Sequence, residues 1–226
     1  MFPMETLPSE RATVHRYAHR AAYDRPTIDS ILDEAFVCHV GLQTDQGFPV
    51  VIPLAYGRRG DVVYLHGSAA SRLFRGARAD GVEICMTVTL VDGLVVARST
   101  YNTDINYRSV VLIGSASEVK DLDEKRLGLD RLVEHIIPGR TADARRPTEK
   151  ELPSTMLLAL PIVDATAKVR TGWPADDDED YELEVWAGVV PVRTVYDGPQ
   201  PDPRLPPGPV VPAYASPYRR PAMSGR

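Results

Sequence analysis

A histidine, two serines and an arginine lie close together at residues 66–72, directly after the hydrophobic run VVYL. Serine hydroxyls, a guanidinium and the free N–H groups of a helix's first turn are donors that suit an anion. If a strand ends at His66 and a helix begins near Ser68, these donors converge on one point, and the sequence predicts a phosphate site there. The plainer interpretation is that Ser68 only caps the helix and that Arg72 lies in solvent.

Composition and charge narrow the classes of function. The 226 residues carry a net charge of −5, which argues against a surface that binds nucleic acid by neutralising phosphates. The sequence has no apolar run long enough to span a bilayer and no signal-peptide pattern at its start, so we expect a cytoplasmic protein without a membrane partner. Cys38 and Cys85 lie in apolar runs and are interpreted as small buried residues. Spacings typical of zinc sites are missing, and no metal site is predicted.

The elements that must position the anion-binding residues are mainly strands. Short β-branched or aromatic runs, separated by DQG, RRG and DG, are typical of a largely antiparallel meander. Many short strands with few helices predict a closed or half-closed barrel, which removes exposed strand edges. The predicted strands are, in order, 36–44, 48–57, 61–67, 82–91, 94–100, 108–119, 155–163, 167–172 and 183–192.

Three helical segments accompany these strands. The first covers 24–35, with Thr27 as its candidate N-cap and one apolar face. The second runs from Ser68 to Ala79, and the third covers 121–139 and ends at a Pro-Gly pair. The predicted apolar stripe of the third helix consists of Leu127, Leu132, Val133, Ile136 and Ile137.

The sequence predicts one folded domain over residues 27–196, preceded by an N-terminal extension at 1–26. The tail at 197–226 contains nine of the twenty prolines, which cannot donate the hydrogen bonds of a central strand. We therefore expect an extended, disordered tail. The acidic run at 176–180 is interpreted as a solvated loop.

Eight segments resemble, in order, the pyridoxamine phosphate oxidase superfamily, and in particular its nitroimidazole-resistance-like, flavin-binding branch. The resemblance spans residues 10–195 and implies an FMN-binding split β-barrel, mainly β with a few helices. It also implies a homodimer with FMN at the subunit interface, and an FMN-dependent oxidoreductase that transfers two electrons to or from an unidentified small molecule. The alternative is a flavin- or haem-binding protein without turnover. The segments are FPVVIPLAY, DVVYLHGSAASR, DGLVVARS, NYRSVVLIG, EKRLGLDRLVEHIIPGR, ELPSTMLLAL, AKVRTG and DYELEVWAGVVPV.

The resemblance also implies which residues bind the cofactor. A strand runs beside the isoalloxazine, a strand end and helix start hold the FMN phosphate, a third segment contacts the flavin, and an aromatic residue reaches it from the partner chain. In that order, these residues are Val51, Ile52, Pro53 and Leu54; Leu65, His66, Ser71 and Arg72; Asn106, Arg108 and Ser109; and Trp186.

His66 is the candidate catalytic residue, because its equivalent in the nitroimidazole-resistance branch faces the flavin and an imidazole transfers protons near neutral pH. Tyr107 is the alternative proton donor, and the plainer role of His66 is to seat the cofactor. This chain has Asn102 and Thr103 where many relatives carry two histidines, so no particular substrate is implied. It also has Ser109 where the classical oxidase has glutamine, which argues against pyridoxamine phosphate as the substrate.

Overall fold

The computed structural model describes residues 9–44, 46–68 and 81–218, and strands dominate within them. The helices are α1 (Arg25–Glu34), α2 (Leu122–Ile136) and α3 (Glu151–Ser154), with 3-10 turns at Glu10–Ala12, Ala18–Arg20, Arg140–Ala142 and Asp178–Glu182. The strands are β1 (Ala21–Ala22), β2 (Val37–Gln43), β3 (Pro49–Arg59), β4 (Val62–Ser68), β5 (Val82–Val96), β6 (Asp104–Glu118), β7 (Thr155–Pro161), β8 (Asp164–Arg170) and β9 (Gly188–Pro191). The predicted fold class, mainly β with a few helices, is confirmed.

Six of these strands close into a ring, and every pairing is antiparallel. The order round the ring is β6, β7, β4, β3, β2 and β5, and β5 pairs again with β6. Strand β8 pairs with the middle of β6, at residues 107–113, and β9 pairs with the end of β5. Alternate residues of each strand point into the ring, where side chains such as Val40, Leu65 and Leu112 are fully buried.

Helix α1 packs its apolar face, Ile28, Ile31 and Leu32, into the same core as the ring. The predicted N-cap at Thr27 is wrong by three residues. The carboxylate of Asp24 accepts a hydrogen bond from the backbone N–H of Thr27, so Asp24 is the N-cap. Pro26 follows in the first turn of the helix, where its missing N–H removes no helical hydrogen bond.

Helix α2 lies outside the ring, across β3, β4 and β7. A methyl group at Gly57 of β3 would be 2.7 Å from backbone atoms of α2, so the helix and strand backbones are in direct contact. The predicted apolar stripe is only partly correct: Leu132 is buried, but Val133 is exposed. The buried face of α2 also contains Gly128 and a lysine, Lys125, which an apolar pattern does not detect.

Several predicted strand boundaries are wrong, and three of these errors affect the topology or the site. The Asp-Gly pair at 92–93 is a bulge within β5, because β5 pairs with β6 on both sides of it. Strand β4 does not end at His66 but continues to Ser68, because its last residues pair with β7. The final predicted strand, 183–192, is reduced to the four residues of β9, all of which pair with β5. The predicted helix after Ser68 lies outside the described residues.

Both ends of the described chain pack on the ring or on α2. Near the start, Arg11 forms a 2.8 Å ion pair with Asp164, and β1 pairs with β8. Near the end, the hydroxyl of Tyr214 donates a hydrogen bond to the carboxylate of Asp143, and the hydroxyl of Tyr218 donates one to the carbonyl oxygen of Ile136. The predicted boundaries at 26 and 196 stay predictions. No helix in the described part of the chain is long and apolar enough to cross a membrane.

Candidate functional site

The ring opens between β3 and β4, and this opening is the candidate site. The two strands pair only through Tyr56–Arg59 of β3 and Val62–Leu65 of β4. Residues 49–55 of β3 pair with β2 on one side, and the last residues of β4 pair with β7 on its far side. Among the described residues, no strand pairs with the second edge of β3 over residues 49–55. Its backbone groups along that edge are therefore placed to hydrogen-bond a ligand.

The predicted ring-binding strand alternates between the core and the exterior. Ile52 and Leu54 pack against the core, whereas Val51, 66% exposed, and Pro53 point outward. Pro53 has no N–H, and prolines within sheets are found at strand edges of this kind. The outward side chains form an apolar wall that suits a flat aromatic ligand.

The strand end that was predicted to hold a phosphate lies on the other side of this opening. Leu65 is fully buried, so its side chain belongs to the core and only its backbone could contact a ligand. His66 is exposed, and Leu157 is its neighbour in β7. The other two residues of the predicted phosphate site, Ser71 and Arg72, lie outside the described residues. The structure thus brings His66 and the apolar wall of β3, formed by Val51 and Pro53, to the same opening.

The three candidates on β6 are engaged within the protein. Asn106 is buried and donates a 3.0 Å hydrogen bond from its side-chain amide to the Gly172 carbonyl oxygen. The hydroxyl of Ser109 lies 3.4 Å from the Lys168 carbonyl oxygen. Their predicted contacts with the flavin, like that of Arg108, stay predictions, and the structure gives each residue an internal partner.

Arg108 is held by two carboxylates that sequence reasoning missed. Its guanidinium forms two 2.8 Å hydrogen bonds to Asp92 at the β5 bulge and two more to Glu34 at the end of α1. These bonds to Glu34 and Asp92 raise the pKa of Arg108 above its ordinary value, so the group stays charged. Arg108 therefore ties the bulge to α1, whichever ligand the site holds.

Part of the outer face of the ring is exposed and largely apolar. We define it by Val37, His39, Val51, Pro53 and Cys85, whose side chains lie on one side of β2, β3 and β5 and are exposed. The register places Val51 and Cys85 on either side of Gly41 in one row. Contiguous exposed apolar surface of this kind is typical of interaction sites.

The two cysteines lie in different environments. Cys38 is buried as predicted, and burial raises the pKa of its thiol to about 12. The prediction for Cys85 is wrong, because Ile84 and Met86 point into the ring and the alternation puts Cys85 on the outer face.

Trp186 and the acidic run precede β9 in the C-terminal part of the chain. The indole of Trp186 packs beside Gly188 and is 67% exposed.

The interpretation of the acidic run as a solvated loop is wrong for its first residue. The side chain of Asp176 is fully buried and accepts hydrogen bonds from the backbone N–H groups of Arg98 and Ser99 and from the Arg98 guanidinium.

Asp176 makes the stability of this region depend on pH. Burial raises its pKa, but the hydrogen bonds from Arg98 and Ser99 outweigh burial and bring the pKa below its ordinary value. The ionised form therefore stabilises the fold fully above the pKa of an unfolded aspartate, about 4, and this contribution is lost as the pH falls through the lower folded pKa. We expect Asp176→Asn to lower the melting temperature at pH 7, and the difference from wild type to shrink as the pH falls towards 3. Thermal melts between pH 7 and pH 3 measure this, with exposed Asp177→Asn as the control; a difference that is constant with pH would contradict it.

Comparison with known proteins identifies the class of fold. The family profile described as pyridoxamine 5'-phosphate oxidase matches residues 24–169, and the chain belongs to this family, whose fold is a split β-barrel. The predicted family is confirmed. Members of the surrounding superfamily bind flavins. A search of curated proteins found no match.

Two solved structures are similar over nearly the whole chain. The flavocytochrome Anf3 from Azotobacter vinelandii is 43% identical, with 94% of this chain and 98% of that chain covered and a TM-score of 0.87. An FAD and heme binding protein from Mycobacterium smegmatis is 39% identical, with coverage of 87% and 96% and a TM-score of 0.82. A 5-nitroimidazole antibiotic resistance protein from Bacteroides thetaiotaomicron, described as putative, shares the fold at 24% identity, with 66% and 86% coverage and a TM-score of 0.55.

Proposed function

We propose that this protein is a flavin-dependent oxidoreductase that acts on a small molecule. The observation that carries the proposal is the opening between β3 and β4, where a strand edge that pairs with no described strand, an outward apolar wall and an exposed histidine meet. A bound flavin would supply two-electron chemistry there. Val51 and Pro53 would cover one side of its ring, the free edge of β3 would hydrogen-bond the ring, and His66 would give or take a proton beside it.

The proposed flavin is FMN, and FAD is the form to test against it, because the similar protein from Mycobacterium smegmatis binds FAD and heme. We expect the purified protein to carry the absorption bands of an oxidised flavin. Mass spectrometry of the released chromophore separates FMN from FAD, and a screen of NADH and NADPH as reductants identifies the electron donor. Purified protein that contains no flavin and binds neither nucleotide on titration would contradict the proposal.

A second candidate function is that of a flavocytochrome, with haem bound in addition to flavin. What favours it is the segment after residue 169, where the family profile ends. The match to Anf3 covers 94% of this chain, so it includes most of this segment. In this chain the segment forms one side of an open groove of about 690 Å³ beside the end of α2, lined by Ile137, Arg140, Tyr196, Tyr214 and Tyr218 among others. A Soret band after haemin is added, with one haem per chain, is the expected sign.

We propose that the active form is a homodimer with the flavin at the subunit interface. The exposed apolar outer face is the surface that a second copy would cover, and the exposed indole of Trp186 would reach the partner's flavin. Burial of such a face stabilises association by the hydrophobic effect. Size-exclusion chromatography with light scattering gives the mass, and a monomer that binds flavin tightly would contradict this assembly.

Trp186→Ala is expected to weaken flavin binding and to leave the barrel folded, because it removes an exposed aromatic surface and no part of the core. Trp173→Ala is the matched control, since Trp173 is also exposed, at 74%, and has no proposed contact with the flavin. Fluorescence titration with FMN compares the two variants, and circular dichroism checks their folding. Equal affinities for the two variants would remove Trp186 from the site.

A further inference from the structure

A buried lysine on α2 has few partners inside the protein. Lys125 is 6% exposed, and among the described residues its Nζ donates one hydrogen bond, 3.1 Å long, to the Thr155 carbonyl oxygen. The ion pairs found in the described part of the chain do not include it. An ammonium group has three N–H donors, and its burial is unfavourable without an anionic partner or several acceptors.

The position of Lys125 relates it to the opening between β3 and β4. Thr155 is paired with Ser68, the last residue of β4. Paired residues of antiparallel strands have Cα atoms about 4.5 to 5.5 Å apart, so the ammonium that contacts Thr155 lies beside the end of β4. His66 precedes Ser68 by two residues on the same strand, which places Lys125 at the side of the proposed flavin site where the phosphate was predicted.

The carboxylates nearest to Lys125 in the sequence have other partners. Asp121 caps α2 by accepting hydrogen bonds from the backbone N–H groups of Asp123 and Glu124. The carboxylate of Glu124 accepts a 3.3 Å hydrogen bond from the hydroxyl of Tyr64. Neither is the counter-ion of Lys125, so an external anion is the partner that its burial calls for.

We propose that Lys125 binds the phosphate of the flavin nucleotide from the α2 side, at the end of β4. The inference rests on the proposed function and adds to it the residue that makes the site select a phosphorylated flavin. A phosphate group offers several acceptor oxygens and a negative charge, which satisfy the remaining N–H donors of the ammonium.

The test compares FMN with riboflavin, which is the same molecule without the phosphate. Methionine has a side chain of similar length to lysine but carries no charge. In Lys125→Met, the Kd for FMN should rise about 10- to 100-fold, the range for a hydrogen bond to a charged group, while the Kd for riboflavin should change little. Lys120→Met is the control, because Lys120 is an exposed lysine just before α2. Its affinities for both ligands should match those of wild type.

Thermal unfolding without flavin separates ligand binding from a structural role. We expect the Lys125→Met apoprotein to melt no lower than wild type, because an apolar side chain replaces a buried, weakly partnered charge. Equal losses of FMN and riboflavin affinity, or a lower melting temperature with both affinities unchanged, would assign Lys125 to the support of Thr155 and overturn the proposal. Wild-type protein that binds both flavins equally well would overturn this proposal alone, whereas binding of neither would also overturn the proposed function.

Discussion

Replacing His66 by glutamine should slow the reaction of the bound flavin about 10²- to 10⁴-fold, the usual contribution of a general acid or base, and leave the flavin bound. His66 is exposed at the end of β4, beside the opening where the β3 wall lies. Glutamine can still hydrogen-bond a cofactor, but it cannot transfer a proton. Affinity and rate should therefore respond differently to this substitution.

Stopped-flow reduction of the flavin by the nicotinamide donor that the wild type uses measures the rate, with enzyme saturated in flavin. His19→Gln is the control, because His19 is also exposed but lies in the N-terminal segment. A saturated His66→Gln variant with the wild-type rate and a weaker affinity for flavin would leave His66 only the role of seating the cofactor.

The ring of strands was predictable because its residues alternate with period two. Val40 and Leu42 in β2, like Met86 and Val88 in β5, are buried, with more exposed residues between them. Strand ends were harder to predict, because pairing with distant strands decides them. Ser68 belongs to β4 only because Thr155, far along the chain, pairs with it.

The part of the candidate site whose residues are close together in the sequence could be predicted, and the part formed by residues from distant elements could not. The run around His66 combines residue types that suit an anion, so the residues themselves indicated a site. The partners of Arg108 gave no such indication, since Glu34 and Asp92 meet it only after α1 and β5 have packed against β6. Lys125 was missed because a lysine interrupts the apolar pattern by which a buried helix face is predicted.

The contact between α2 and β3 leads to the second large effect. At Gly57, a methyl group would be 2.7 to 2.8 Å from the backbone of Arg131 and Leu132, and backbone atoms cannot rotate away as a side chain can. The helix would have to move off the strand. Overpacking of this kind usually lowers the free energy of unfolding by about 1 to 3 kcal/mol, occasionally more, and we expect Gly57→Ala to lie at the upper end.

Gly41→Ala is a matched control, because Gly41 also lies in a paired strand and its added methyl group would be 3.6 Å from the nearest atom, an ordinary contact. Alanine restricts the unfolded chain more than glycine does, so this control should be neutral or slightly stabilising. Thermal melts should place Gly57→Ala about 6 to 12 °C below wild type, by the usual relation between stability and melting temperature for a chain of this size. Equal melting temperatures for the two variants would mean that α2 does not press on β3 in solution.

The same substitution also tests how α2 supports the site. Helix α2 carries Lys125 and contacts β4 at Tyr64, two residues before His66. If Gly57→Ala displaces the helix, Lys125 moves away from the end of β4, and FMN affinity should fall more than riboflavin affinity at a temperature where the variant is folded. A destabilised variant with an unchanged ratio of the two affinities would mean that the position of α2 matters for stability but not for holding the phosphate.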